Sequence, residues 1–397
     1  MGNVSRGRLT VAACLGFFCN GLSISLIGSS LDFFAARLGA DVTGVGSGFF
    51  LPLGVAAISV LFASGPLIDR FGKRTLVTAG CLLTGGAMPL LLAAHNLAQA
   101  GGAMFVLGAG AGMLTGGINT LVNDDLFPEN PGPPLNLVNM SFGVGAVSLP
   151  FAVGALVAKL GFPALILLIA LCCTVPAVLF GFTTFPAPRE GSRFRLAESG
   201  KALSNPLVIQ LALCFFLYVG LESCLGTWSR PTVRALWGVG APHDQLILSG
   251  YWGSLAVGRS VAGTVLRRVP SQTMVIWACL GACLGLAGFS HAPNLTVACA
   301  SLWLTGMCFA PIFPSSLGTT GSVFKRYTGT IFSVVIAAGT LGQTILTPAV
   351  GRVARNFSFG TGMRVALVLC FLLAGLQIAV GVQLKRRRAL VVADKTV

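Results

Sequence analysis

One acidic residue stands well inside an apolar stretch of the 397-residue chain: Glu222, in the run 206–228. The other ten fall between such runs or at their ends. Asp69, Asp124, Asp125, Glu129, Glu190, Glu198 and Asp394 lie in polar segments, and Asp32, Asp41 and Asp244 at run ends. A carboxyl group in such a run can accept hydrogen bonds from hydroxyls, or take up and release a proton or another cation. Placing it in hydrocarbon costs about 2.5–3.5 kcal/mol even on a permissive insertion scale, so it is expected to face a cavity or a partner. It falls about five residues outward of the middle of its run, roughly 7–8 Å from the midplane by helical rise. The alternative is a Glu bound to a neighbouring polar group and idle in turnover.

Asn20, Asn119, Asn139, Gln210 and Gln343 are uncharged polar groups in similar runs. Their amides supply the donors and acceptors a hydroxylated solute requires, and equally serve as bonds between helices. Trp228, Trp252 and Trp303 offer faces on which a sugar ring can stack, or anchors near a membrane surface; Trp228 is singled out for the first role. No phosphate-binding G-x-x-x-x-G-K-[ST] loop, G-x-S-x-G elbow or H-E-x-x-H pair is present, so neither ATP-driven pumping nor hydrolysis has a candidate constellation. The twelve cysteines sit in apolar runs without a CxxC spacing, and His95, His243 and His291 are scattered at run ends. No metal or cofactor is expected.

The elements that must carry these residues follow from composition. Hydrophobic residues make up 54% of the chain and charged residues 9%, against roughly 25% charged in soluble domains. Long uncharged runs, not short alternating ones, exclude a transmembrane barrel. At about 20 apolar residues per crossing, twelve spans are predicted: 8–31, 44–66, 75–94, 97–122, 138–159, 163–185, 206–228, 244–266, 272–291, 295–316, 328–351 and 362–384. The first is too long for a signal-peptide core.

The net charge of +15 lies in short clusters between runs, a pattern of membrane topology and not of nucleic-acid binding. With the N-terminus in the cytoplasm, 18 of the 26 Lys and Arg fall on that side, so both termini are expected to be cytoplasmic and the protein multi-pass in the cell (inner) membrane. The polar segment 186–205 then separates an N-terminal six-helix bundle, 1–185, from a C-terminal one, 206–384, followed by a basic tail, 385–397.

A weak internal repeat fits that division. An offset of 198 pairs Phe17 and Phe18 with Phe215 and Phe216, Gly28 with Gly226, and Leu38 with Leu236. Gly65-x-x-x-Asp69-Arg70 corresponds likewise to Gly263-x-x-x-Arg267-Arg268. Two related halves imply a central site between them. Asp32 and Arg230 occupy equivalent positions and are expected to meet as an outer gate when the protein faces inward. Exchanging their charges should then restore transport lost in each single mutant. Otherwise they are two solvated ends with unrelated charges. Asp124 and Asp125 are expected to pair with basic loops.

The stretch Gly65-Pro-Leu-Ile-Asp69-Arg70-Phe71-Gly72-Lys73-Arg74 resembles the G-x-x-x-D-R-x-G-R-R loop of the major facilitator superfamily. The resemblance implies an all-α membrane protein of twelve transmembrane helices in two pseudo-symmetric six-helix bundles. It also implies that this loop is an inner latch whose Asp69 faces the start of the eleventh helix, near Thr328. In that family helices 1, 4, 7 and 10, with parts of 5 and 11, line the route, which makes Asn20, Asn119 and Gln343 the foremost cavity candidates. A narrower set, Gly117-Ile118-Asn119, Leu135-Asn136, Phe142-Gly143-Val144-Gly145 and Pro150, is similar to the fucose and glucose/galactose sugar:proton symporter branch. Tyr218-Val219-Gly220-Leu221-Glu222-x-x-x-Gly226-x-Trp228 resembles that branch and its sodium-dependent glucose transporter relatives. Thr115 stands where some of these relatives place a proton-carrying Glu.

The expected function is secondary active transport of a small polar solute, a sugar or polyol, by alternating access coupled to protons or sodium. Two alternatives are efflux of amphipathic or cationic compounds, drawn by Glu222, and a transporter-like sensor that binds solute without turnover.

Overall fold

A computed structural model describes residues 6–127, 132–185, 205–265, 268–324 and 328–393, and every regular element among them is helical. In chain order these are α1 (Arg6–Leu38), α2 (Val42–Ala93), α3 (Leu97–Thr120), α4 (Gly132–Leu160), α5 (Phe162–Phe182), α6 (Pro206–Trp237), α7 (His243–Val265), α8 (Ser271–Ser290), α9 (Leu295–Phe309), α10 (Ile312–Val323), α11 (Thr328–Asn356) and α12 (Phe359–Ala393). A π-helical turn, Leu121–Leu126, continues α3. Ten of the helical segments are long and apolar enough to cross a membrane. The expected linker, 186–205, lies outside the described residues except for Asn205.

Local chemistry sets the ends. Asp41, Asn96, Asn205 and Asn294 each accept a bond from a backbone N–H of the first turn of α2, α3, α6 and α9, satisfying donors a helix N-terminus leaves open. The 52 residues of α2 form two crossings, because Gly72 at φ 80°, ψ 156° breaks the helix and turns the chain, a conformation that only glycine adopts freely. The tenth predicted run is interrupted at Ala310-Pro311, giving α9 and α10. Helix α7, with Asp244, Gln245 and Arg259 in it, is the complete crossing missing from the ten. At the C-terminus, helix α12 continues through Lys385 to Ala393, past the expected end at 384.

Helices α1 and α6 also outrun their apolar stretches. The first run was expected to end at 31 and the seventh at 228, yet α1 reaches Leu38 and α6 reaches Trp237. Charged residues there, Asp32, Arg230 and Arg234, pair with each other across the two helices. The extension moves Glu222 from its expected place, five residues off centre, to the middle of α6.

Helices pack where small residues admit a neighbouring backbone. A Cβ on Gly145 of α4 would collide with the Phe18 carbonyl of α1, and one on Gly342 of α11 with the Phe216 carbonyl of α6. Phe18 and Phe216 are the pair matched by the repeat offset, so the same contact is built twice. All twelve cysteines are free; Cys283 Sγ donates to Cys370 Sγ at 3.4 Å between α8 and α12.

Candidate functional site

A cavity of about 190 Å³ lies at mid-height, walled by α1, α2, α3 and α4 on one side and α6, α7, α10 and α11 on the other. Its polar lining is Asn20, Thr115, Glu222, Ser223, Trp252, Thr340 and Gln343, set among apolar residues such as Ile24, Leu53, Phe142, Val219 and Phe313. The middle of α6 projects Glu222 and Ser223 into the space, and Asn20 faces them from α1.

Three polar atoms of this lining are buried without a hydrogen-bond partner: Asn20 Oδ1, Trp252 Nε1 and Glu222 Oε1. Asn20 spends its other end on Thr115, Nδ2 donating to Oγ1 at 3.4 Å. Orphaned buried groups of this kind are costly unless a ligand or water completes them. Together they present two acceptors and one donor to whatever enters. Glu222 is the sole ionisable residue among those lining the cavity.

Beside it stands Arg259 of α7, with Nη2 at 3.7 Å from Glu222 Oε1. Arg259 Nη1 also points at the Asn139 carbonyl of α4, 3.4 Å away. This cation is assigned no role by the motifs. The signal for it was that a lone Arg within the eighth run needs an anion, and Glu222 is the one carboxyl deep in a run.

Two of the expected cavity residues lie elsewhere. Asn119 is one helical turn beyond Thr115 on α3, and its Nδ2 donates back to the Thr115 carbonyl at 2.8 Å. Trp228 is six residues beyond Glu222, about 9 Å further along the axis and on another face. It is fully buried against Gly46 and Gly351, and its Nε1 donates to the Thr347 carbonyl at 2.9 Å. Trp252 of α7 is the indole that reaches the cavity. Gln343 lines it from α11, whereas Gln210 and Asn139 do not.

The end of the molecule at which α1 finishes, its far side, is drawn together by charge. Arg230 Nη1 donates to Asp32 Oδ2, and to Asp244 Oδ2 at 3.0 Å, while its Nε donates to the Gly28 carbonyl at 2.9 Å. Arg234 joins the same two carboxylates, 2.9 Å from Asp32 and 2.6 Å from Asp244. Arg230 is 1% exposed and Asp244 is fully buried. Asp244 was expected only as a run end; the structure makes it, with Arg234, part of a four-charge cluster. Further ties on this side are Arg355–Asp41 at 3.1 Å, the Gln245 amide donating to the Ser29 carbonyl at 2.9 Å, and the Ser249 hydroxyl donating to the Val147 carbonyl at 3.0 Å.

On the near side, the residues Gly65 to Arg74 form the turn between the two legs of α2. Lys73 Nζ donates to Asp125 Oδ2 at 2.6 Å, while Asp69, Arg70 and Arg74 are exposed. The expected partner of Asp69 begins next to residues 325–327, which lie outside the described ones.

A family model described as Major Facilitator Superfamily matches residues 13–347. The chain is 22% identical over 298 residues to a glucose/mannose transporter of Bacillus subtilis (strain 168), covering 70% of this chain and 71% of that protein. It is 22% identical over 384 residues to the sodium-dependent glucose transporter 1A of Mus musculus, covering 86% and 87%. The crystal structure of a D-xylose-proton symporter superposes with a TM-score of 0.79 at 13% identity, over 93% of this chain and 96% of that one.

Proposed function

We propose, from the premise that this chain belongs to the Major Facilitator Superfamily and is a multi-pass membrane transporter of that family, that its solute is a neutral monosaccharide. The observation that carries this reading is the convergence of the orphaned Asn20 Oδ1, Trp252 Nε1 and Glu222 Oε1 on one cavity. Two sugar hydroxyls donate to the Asn20 and Glu222 oxygens, and a third oxygen accepts from the Trp252 N–H. Gln343 and Thr340 extend the same wall. At about 30 Å³ per water, the space holds roughly six waters, the scale of a single sugar ring. The names of the glucose, mannose and xylose transporters among its relatives support the same class.

Glu222 is the carboxylate through which an ion gradient drives accumulation, the ion being a proton or sodium. One charge moved through 100 mV is worth about 2.3 kcal/mol, roughly fiftyfold in concentration. Asn20 and Gln343 bind solute, whereas Trp228 and Asn119 support the frame. The cluster of Asp32 and Arg230, with Arg234 and Asp244, is the outer gate, shut in this conformation. Gly65, Asp69, Arg70, Gly72, Lys73 and Arg74 form the inner latch. The near side is the cytoplasm, in agreement with the excess of Lys and Arg there, and both termini are cytoplasmic in an inner-membrane protein. The halves 1–185 and 206–384 rock about the cavity.

Counterflow in liposomes tests this function. Internal glucose or mannose should drive uptake of labelled glucose, and lipophilic cations should not compete, since Arg259 already balances the charge of Glu222. Competition by cations and none by monosaccharides would establish the efflux reading instead.

A further inference from the structure

We infer that Arg259 is the resident counter-cation of Glu222, that it makes the cavity answer to protons and not to sodium, and that it relays the charge state of Glu222 to the seam between α4 and α7. This rests on the reading of Glu222 as the coupling carboxylate.

The geometry gives Arg259 two partners at once. Its Nη2 faces the Glu222 carboxylate at 3.7 Å and its Nη1 the Asn139 carbonyl at 3.4 Å. Helix α4 leaves room for the guanidinium at Gly143, where a Cβ would still stand 3.7 Å from Nη1. The first contact lies within the α6–α7 pair; the second crosses to a helix from the other end of the chain. Helices α4 and α7 must part and rejoin if the two halves rock, so the second contact belongs to the moving seam.

Other groups stand beside Glu222. The Tyr218 hydroxyl, one turn before it on α6, lies by both the Glu222 carboxylate and the Arg259 guanidinium, and the Tyr251 hydroxyl of α7 donates to the Glu222 backbone carbonyl at 3.2 Å. Cys224, two residues on, is turned to the Thr347 hydroxyl. Helices α9 and α10 carry no charged residue, and those of α1, α11 and α12 lie towards the helix ends. On α4, which packs on Arg259, the charged residue is Lys159 in the last turn.

A sodium ion would have to settle on a carboxylate whose charge is already met, next to a fixed positive group, with no second carboxylate lining the cavity. Hard cations require several oxygen ligands to replace their water. A proton needs none of this. It adds to one carboxylate oxygen, leaving Glu222 a neutral hydrogen-bond donor and acceptor for the sugar. Arg259 then loses its anion and turns wholly to the Asn139 carbonyl, tying α7 to α4. Loss of the proton draws it back.

The test uses the full chain in liposomes, with labelled glucose as probe. Wild type should accumulate glucose under an inward proton gradient and not under a sodium gradient at equal pH. Arg259→Gln should keep glucose counterflow, lose proton-driven accumulation and gain sodium-stimulated glucose binding. Its pH profile of glucose binding should move by about one unit or more. Arg259→Lys, which keeps the charge, should recover part of the accumulation. Sodium-driven accumulation by wild type overturns the inference, as does an Arg259→Gln protein with unchanged accumulation and pH profile. If Arg259→Gln does not fold, Arg259→Lys decides: accumulation reduced to part of the wild-type level with a displaced pH profile of glucose binding supports the pairing, and accumulation and pH profile both equal to wild type refute it. A wild type that exchanges no monosaccharide at all would instead sink the transport reading, and this one with it.

Discussion

Gly28 on α1 and Gly226 on α6 touch each other at equivalent points of the repeat, the carbonyl of Gly226 filling the place a Cβ on Gly28 would occupy. One turn further along each helix, Asp32 and Arg230 are bonded together, again 198 residues apart. Equivalent residues meet only on the axis that relates two halves. The crossing of α1 and α6 therefore sits on the pseudo-two-fold axis, above the cavity, next to the proposed outer gate.

That crossing leaves no space for a methyl group. Gly28→Ala forces the two backbones apart, an overpacking cost of about 1–3 kcal/mol borne mostly by the closed state. Glucose counterflow should fall about tenfold while the helical circular dichroism of the purified protein is kept. Gly7→Ala, whose methyl meets nothing within 4 Å, is the control and should transport normally.

The four-charge cluster decides how its members may be altered. Asp244 is fully buried against both arginines, and Asp32 is 37% exposed on its side chain. Removing one partner of a buried pair costs about 3–5 kcal/mol, so Asp244→Asn should lower the melting temperature of the purified protein sharply. Asp32→Asn should lower it little, because Asp244 still holds Arg230, yet should weaken the seal between α1 and α6. The melting temperatures of the two variants check the order, and equal losses would refute it.

The same cluster changes the outcome of charge exchange. Considered as an isolated pair, Asp32 and Arg230 should tolerate the swap. In the structure, Arg230→Asp places a carboxylate 14 residues before Asp244 in the position where Asp244 now meets a guanidinium, and like charges then face each other in a buried site. The double variant Asp32→Arg/Arg230→Asp should stay inactive in counterflow, and adding Asp244→Asn should restore part of the rate.

The crossings, the Gly65–Arg74 turn and the place of Glu222 inside a crossing were all legible in the sequence, because apolar run length and the cost of a buried carboxyl are local properties. What failed was inference about run ends. Asp32 and Arg230 look like the limits of their spans, but each cancels the other's charge, so α1 and α6 continue past them and Glu222 moves to mid-helix. The partnership of Arg259 with Glu222 was half visible, since each was an unmatched charge in a run. Their adjacency depends on how α6 and α7 pack, which no spacing along one helix records. Trp228 and Trp252 were indistinguishable by type; packing separates them, since Trp228 of α6 is buried against Gly46 and Gly351 while Trp252 of α7 reaches the cavity.

That distinction between the two indoles can be measured. Trp252 Nε1 has no partner and borders the cavity, while Trp228 Nε1 is committed to the Thr347 carbonyl between α6 and α11. Phe keeps most of the ring and removes the N–H, at a net cost of about 0.5–1.5 kcal/mol per hydrogen bond. Trp252→Phe should weaken glucose binding by roughly three- to tenfold and leave the melting temperature of the unliganded protein near that of wild type, because an orphaned donor has been removed. Trp228→Phe should do the reverse, lowering the melting temperature by losing the bond to the Thr347 carbonyl and leaving a void against Gly46 and Gly351, while the affinity is unchanged. Paired measurements of binding and thermal unfolding on both variants separate these outcomes. If Trp228→Phe weakens binding and Trp252→Phe does not, the sugar is not held at this cavity wall.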